Sequence, residues 1–556
     1  MAATDLDRSY DSVMAAVTGP GGRVVLAKDK QGQTIVSNFP ATLPLFFKTF
    51  CALNGPVEAV VAGDERLTYA QLDEISDRVA LGLVARGIGK GDRVGIAMRN
   101  CPAWILSYMA VVKAGAVATL LNGWWQPEEL EHALELVDTK LVVADAPRAE
   151  RIAATCASCT IETIAIEQPA EQAFADLIAG GSDGIVLPEV APEDDATILF
   201  TSGSTGEAKG ALSTHRAVTT GVYTYAIALM VLRGILESEG RPPVNPLKTL
   251  VVVPLFHVTG EVPVMLNSFV ISRGMVLMAK WDAGEALRLI EKERITYFVG
   301  VPTMSLELMN HPDRGNYDLS TLTDIASGGA PRPVSHVERL RRSFPAAQPA
   351  QGYGLTETNA VGCGNFWTNY AVKPASTGRA HVPFVEVAIL GEADRHLRPN
   401  ERGEIAIRSA ANIKCYWGNP EATAAAFTAD GYFKSGDIGY LDEDGYLFIV
   451  DRKKDIIIRG GENISAAEVE AALYACEGIC EAAVFGAPDD RLGEIPVAIL
   501  HRREGSSLSE EDLRAFLSGR LAAFKVPARM VFSDEPLPRL GTGKIDRVTL
   551  KQQYAG

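Results

Sequence analysis

Cysteine is sparse in this sequence, and its basic residues are outnumbered. Eight cysteines, at positions 51, 101, 156, 159, 363, 415, 476 and 480, are scattered over 556 residues. A disulfide framework needs dense cysteines in a short secreted chain, so this usage fits a reducing compartment. Cys156 and Cys159 have metal-pair spacing, but no second pair or neighbouring histidine completes a tetrahedral set, which argues against zinc. Lys and Arg number 53 against 69 Asp and Glu, a net charge of −16, with no basic cluster. Such a chain does not track a phosphate backbone, so nucleic acid is not expected as a partner.

Neither a leader nor a membrane span is expected. The start, MAATDLDRSYDSVMAA, has acids where a secretory signal needs a cationic start and an apolar core. A cytoplasmic location is expected. Of the two longest apolar stretches, Cys101 to Trp125 is interrupted by Lys113 and glycine, and Ala217 to Leu232 has 16 residues between Arg216 and Arg233. A spanning helix needs roughly 20 apolar residues, so both read as buried helices. No internal repeat or low-complexity tract is present.

What is present is a long globular chain, too large for one core. LTYAQLDEISDRVALGLVARG places Leu72, Ile75, Val79 and Leu83 near one helical face, started near Thr68 and stopped by Gly87. DRVGIAM follows as a strand, and CPAWILSYMAVVKAGAVATLL as a helix and a strand. The βαβ rhythm recurs at KLVVAD, TLVVVP, GMVLMA, ITYFVGVP and LTDIASGG, which predicts parallel sheets. VEVAIL, GEIAIRS and GYLFIV, between about 385 and 450, predict a small antiparallel β unit. After DRKKD a helix, two strands and a helix follow, at 466–474, 481–485, 496–501 and 510–521. The expected fold is α/β, with a large N-terminal domain over 1–450 and a small mobile α+β domain over 451–556.

TSGSTGEAKG (201–210) packs four hydroxyls, three glycines and Lys209 directly behind the apolar strand Ala196 to Phe200. Turn amides, hydroxyls and one cation suit a polyphosphate. It is not a Walker loop, because Gly203 and Gly206 are three apart and Lys209 follows no glycine. In SGGAP, Gly328 and Gly329 allow a flat ring to approach the backbone. QGYGLTET offers an aromatic face at Tyr353 between Gly352 and Gly354, a hydroxyl at Thr356 and a carboxylate at Glu357. Magnesium takes one or two carboxylates and shares the substrate's phosphates, so Glu357 is a candidate Mg²⁺ ligand.

These segments occur in one order with PLFHVTG, GVPTM, STGRA, GEIAIR, YWGNPEAT, FKSGDIGY, DRKKDIIIRGGENISAAEVE and LPRLGTGKIDR. From about residue 40 onward the chain resembles the adenylate-forming superfamily of acyl-CoA synthetases, luciferases and nonribosomal adenylation domains. The resemblance implies an ATP-dependent ligase that makes acyl-AMP and pyrophosphate, then passes the acyl group to CoA. It implies that Thr201, Ser202, Gly203, Ser204, Thr205, Gly206 and Lys209 hold phosphates. Tyr353 would stack on adenine, with Gly328, Gly329, Ala330 and Pro331 as its backbone wall; Asp437 and Arg452 would hold the ribose. Thr356 would contact the α-phosphate, His257 would lie beside the substrate carboxylate, and Lys544 would be the catalytic lysine of the small domain. Asp451 would be the hinge about which Arg459, Gly460 and Gly461 come to the CoA channel.

Departures from the family pattern are Ala208 in place of proline, Ser204 in place of threonine and Cys415 in place of glycine. No reacting group is lost. Relatives that adenylate amino acids carry an aspartate near FHVTG, whereas this segment has Val258 and Thr259, with Glu261 just beyond. An unpaired ammonium in an apolar pocket is costly, so a hydrophobic acyl or aryl acid is expected. Its pocket would include Val258, Thr259, Met304, Ala360 and Val361. No carrier domain follows Gly556, which favours free CoA; a stand-alone enzyme loading an acyl carrier protein is the alternative. Luciferase-type oxidation and a nucleotide-binding protein without turnover are weaker readings, and monomer or homodimer stays open.

Overall fold

The computed structural model describes residues 4–181, 184–202, 208–329, 332–453, 455–460, 462–503, 505–540 and 543–555. Among them lie two large sheets. The seven-stranded sheet runs Cys415–Tyr416, Ala208–Thr214, Asp195–Ser202, Val117–Leu120, Arg93–Ala97, Leu141–Asp145, Thr160–Ile164. The five strands from Asp195–Ser202 onward pair in parallel, as the βαβ rhythm requires, and Ala208–Thr214 pairs antiparallel with both its neighbours.

The thirteen-stranded sheet has a parallel half and an antiparallel half. Glu58–Ala62, Gly274–Leu277, Lys248–Val251, Tyr297–Gly300, Asp324–Ser327 and Gln348–Gly354 run parallel. The antiparallel unit expected near 385–450 forms its other end, joined through Gly362–Phe366 and Gly378–Ala380. That continuity gives one unbroken surface from the βαβ region to Asp437 and Arg452, which face each other across two antiparallel strands.

The helix Pro102–Lys113 shows how the sheets are held. Each of its twelve residues is buried, because it packs on strands of both sheets. It needs no polar face, which is why its sequence looked like a membrane segment. Its one ammonium, on Lys113, is neutralised by Asp73 and Asp77 at 2.6 Å each. Ala217 to Leu232 belongs to the helix His215–Ser238. By length and composition this 24-residue helix could cross a membrane, but most of it is buried in the core. It exceeds the apolar run because polar residues extend it at both ends.

After Arg452 the chain enters a five-stranded sheet of Glu462–Ser465, Ile456–Arg459, Gly493–Arg502, Ile479–Asp489 and Arg529–Ser533. The expected helices are present at Ala466–Tyr474 and Glu510–Ser518. Separate apolar clusters cover its two faces, so this region has a core of its own. The N-terminal helix Asp5–Thr18, which the sequence reading passed over, docks through buried Asp7. Its carboxylate accepts from the Tyr446 hydroxyl at 2.9 Å and from Asn369 Nδ2 at 2.9 Å.

Candidate active site

A cleft of about 2860 Å³ opens at the C-terminal ends of the parallel strands and continues under the small C-terminal sheet. Open α/β sheets bind ligands at this edge, where the strand ends leave loops and free backbone groups. Thr201, Lys209, His257, Val258, Thr259, Gly328, Gly329, Gly352, Tyr353, Gly354, Thr356, Glu357, Ala360, Asp437, Asp451, Arg452 and Lys544 all line it. They come from segments far apart in the chain.

The segment expected to hold phosphates runs between two antiparallel strands that pair Thr201 with Lys209. Gly203, Ser204, Thr205 and Gly206 lie outside the described residues, and Ser202 ends the first strand. The arms can still be placed. The Lys209 ammonium lies 5.3 Å over the Tyr416 ring, and the Tyr416 hydroxyl donates to Glu357 Oε1 at 2.8 Å. Thr201 also hydrogen-bonds Glu357. Burial raises the Glu357 carboxyl above its ordinary range, against these hydrogen bonds. Among the described residues no group of three acidic, histidine or cysteine side chains could hold a metal alone. One enclosed carboxylate beside a phosphate loop fits Mg²⁺, which completes its shell with substrate oxygens and water.

The Tyr353–Asp437 end of the cleft is set by strand register. The Tyr353 hydroxyl donates to Asp437 Oδ2 at 2.7 Å, and Arg452 Nε is 3.3 Å from Asp437 Oδ1. Burial raises the Asp437 pKa, while Arg452 and Tyr353 oppose the rise. Gly354 has a steric reason to be glycine: a Cβ there would lie 1.8 Å from the Ala360 carbonyl oxygen. Gly329 has two, a φ of +73° and a position against Lys544. Ala330 and Pro331 lie outside the described residues.

Lys544 reaches the centre of the cleft, with Cε and Nζ each 3.3 Å from where a Gly329 Cβ would stand. Burial and the nearby Arg452 charge lower its pKa to about 8, partly countered by Asp437. The ammonium therefore persists at neutral pH. His257 is within its field; burial, then Lys544, lowers the imidazole to about 3, so the ring is neutral. The Thr259 N–H donates to His257 Nδ1 at 3.2 Å. By that contact the proton sits on Nε2, leaving a donor for an anionic oxygen.

The acyl side divides the candidates. Val258, Thr259 and Ala360 line the cleft. Val361 is fully buried in the main core and does not. Met304 packs beneath Gly300 and Gly543, under the docked C-terminal segment, and does not line the cleft either. Both residues adjoin true lining positions, but each side chain faces the other way. Glu261 is settled too. It lies on a π-helix, Gly260–Leu266, and its buried carboxylate accepts from the Tyr108 hydroxyl at 2.7 Å, outside the cleft lining. Burial raises it to about 7.

Arg459 and Gly460 are not brought in, and Gly461 lies outside the described residues. Arg459 Nη1 donates to the Phe524 carbonyl at 2.6 Å, and the Gly460 N–H to the Leu492 carbonyl at 2.6 Å. This conformation holds Lys544 inside and the 459–460 turn outside. Asp451 is buried at the junction, where its Oδ1 accepts the Arg452 N–H at 2.7 Å.

Sequence reasoning missed Tyr416, Tyr225, Tyr297, Asp324 and His381, which take part in this site or line its cleft. For Tyr297 the signal was available. It stands two residues before Val299 on the strand Tyr297–Gly300, so the two share the face that lines the cleft.

Comparison with known proteins matches residues 47–417 to a family described as AMP-binding enzyme. Residues 468–544 match the AMP-binding enzyme C-terminal domain. The chain is 36% identical to a feruloyl-CoA synthase of Amycolatopsis sp over 89% of this chain and 96% of that protein. It is 33% identical to a long-chain-fatty-acid–CoA ligase of Bacillus subtilis (strain 168), over 88% and 90%. The crystal structure of ATP-bound MatB from Rhodopseudomonas palustris superposes with a TM-score of 0.80 at 28% identity, covering 92% of this chain and 99% of that one.

Proposed function

The chain belongs to the AMP-binding enzymes, and from that premise we propose that it activates a hydrophobic carboxylic acid with ATP and transfers the acyl group to CoA. One observation carries the reading: the Lys544 ammonium is held among Gly329, Asp437, Arg452 and His257, where a nucleotide's α-phosphate would meet an acid.

In the first half-reaction a carboxylate oxygen attacks the α-phosphorus. The bond from that phosphorus to the bridging oxygen breaks, and pyrophosphate leaves with the electron pair. The nucleophile is already an anion at neutral pH, so no general base is needed. Negative charge gathers on the phosphoryl oxygens, and Lys544 and Thr356 are set to stabilise it, Lys544 in a low-dielectric cleft. His257 orients the acid through its Nε2 hydrogen. Lys209 and the 201–206 loop take the β- and γ-phosphates, Asp437 accepts the ribose hydroxyls, and Tyr353 presents its ring to adenine. Glu357 would hold Mg²⁺, which supplies charge neutralisation for the phosphates.

In the second half-reaction the CoA sulfur, having lost its proton, attacks the acyl carbon. The carbon–oxygen bond of the mixed anhydride breaks and AMP leaves. Turning about Asp451 would withdraw Lys544 and bring Arg459, Gly460 and Gly461 toward the thiol. The relatives matched along most of their length carry CoA-ligase names, which supports CoA over a carrier protein. ATP and CoA as substrates fit a cytoplasmic enzyme.

The deciding experiment incubates the protein with Mg-ATP, CoA and pooled fatty, aryl and polycyclic acids, read by mass spectrometry. A new acyl-CoA with matching AMP is expected, abolished by EDTA and restored by Mg²⁺. Acyl-AMP without thioester would overturn CoA as acceptor, and no product from any acid would overturn the ligase.

A further inference from the structure

The groove for the acid extends back from the reacting centre along one face of the thirteen-stranded sheet. Side chains alternate along a strand, so Val299 and Tyr297 share a face, as do Ala326 and Asp324. Register aligns these rows: Tyr297 pairs with Asp324, Val299 with Ala326, Ala326 with Ala350, and Ala350 with Phe366. All of them line the cleft. Val299, Ala326 and Ala350 are small and make the floor. Tyr297 and Asp324 end it, about 10 Å from the level of Gly300 and Ser327, for three residues of extended chain.

That end is polar, unlike the floor. The Tyr297 hydroxyl has no hydrogen-bond partner among the described residues, although its ring stacks under Arg273 at 4.8 Å. Tyr297 and Asp324 are deep in the protein yet keep accessible surface, which faces the cleft they line. Asp324 accepts from Trp367 Nε1 at 3.0 Å and from the Thr323 hydroxyl at 2.9 Å, and burial raises its pKa. His381, whose ring lies 5.6 Å from that of Tyr225 and 6.3 Å from that of Phe366, stands nearer the reacting end, with its Nε2 beside Gly364, which pairs with Gly352. His381 is 4% exposed and also lines the cleft. A saturated hydrocarbon tail would fill this end and leave buried donors and acceptors unmade, which is costly.

We propose that the acid carries a hydrogen-bonding oxygen, a hydroxyl or a ketone, about 10 Å from its carboxylate, and that the Tyr297 hydroxyl receives it. The inference rests on the ligase reading above and narrows its substrate from hydrophobic acids at large to oxygenated ones. A phenol can donate or accept, so Tyr297 suits either function. Asp324, tied to Trp367, positions the Tyr297 end of the groove.

The test compares two matched pairs, 4-hydroxycinnamic with cinnamic acid and 8-hydroxyoctanoic with octanoic acid, by kcat/KM for pyrophosphate release. The wild type is expected to favour the oxygenated member of at least one pair by roughly tenfold or more. Tyr297→Phe, which keeps the ring and therefore the fold, should bring that ratio close to one, with the change carried by KM. Preference for the unsubstituted acid in both pairs, or a ratio unmoved by Tyr297→Phe, overturns the inference while leaving the ligase standing. No pyrophosphate from any of the four acids or from the pooled set would overturn the ligase and the inference together.

Discussion

If Lys544 stabilises the phosphoryl oxygens as an ammonium, adenylation must decline as that ammonium is lost. Its pKa in the free protein is about 8, displaced from 10.5 mainly by burial and by Arg452. The protonated fraction is then about 0.9 at pH 7, half at pH 8 and about 0.1 at pH 9. Because kcat/KM reports the free enzyme, that parameter should fall about tenfold between pH 7 and 9. Bound ATP adds anionic phosphates to the same cleft and raises the Lys544 pKa, so kcat should fall at higher pH than kcat/KM. The assay is ATP–pyrophosphate exchange without CoA, which keeps the thiol's own ionisation out of the profile. His257, lowered to about 3, does not titrate in this window. Lys544→Arg keeps its charge throughout and should flatten the decline, at a lower rate because the fork is larger than an ammonium. Lys544→Ala should cost about 10²–10³ in exchange but spare thioester formation from supplied acyl-AMP. A decline with the same midpoint in Lys544→Arg, or equal loss of both half-reactions in Lys544→Ala, would refute the assignment.

Two other outcomes follow from contacts. Asp437→Asn removes the anion that receives the Tyr353 hydroxyl and Arg452, so KM for ATP should rise about 10- to 100-fold. Unchanged ATP saturation in a normally folded variant would remove Asp437 from the nucleotide site. Asp7→Ala leaves the Tyr446 hydroxyl and Asn369 without their buried acceptor, a loss of about 2–4 kcal/mol in docking the helix Asp5–Thr18. Limited proteolysis should trim the N-terminus of that variant faster than the wild type; equal rates would count against the docking role.

Much of the architecture was legible because its signals are local. Alternation of apolar runs and helical patterns depends on neighbours within a few residues, so the parallel strands, the fully buried helix at 102–113 and the C-terminal helices could be read directly. Glycine-rich turns with hydroxyls, a lysine or a carboxylate marked the segments that meet in the cleft. The apolar face was readable only in part. Val258 and Ala360 line the cleft, whereas the side chains of Met304 and Val361, close in sequence to lining residues, turn elsewhere. A helix or tight turn reverses facing within one residue, and sequence spacing does not reveal the sense.

By itself, then, the sequence determined which chemical groups this protein carries and the strand and helix periods that present them. Tertiary structure decided which groups meet. Tyr353 and Asp437 bond across 84 positions because antiparallel register carries Asp437 to the cleft edge. Glu261 turns away from the substrate because a π-helix directs it onto Tyr108. Lys544 loses much of its basicity because docking of the small C-terminal sheet removes it from water beside Arg452. Tyr297 and Asp324 meet at the groove's far end for the same reason: pairing and burial act between segments distant in the chain, and local composition carries no record of them.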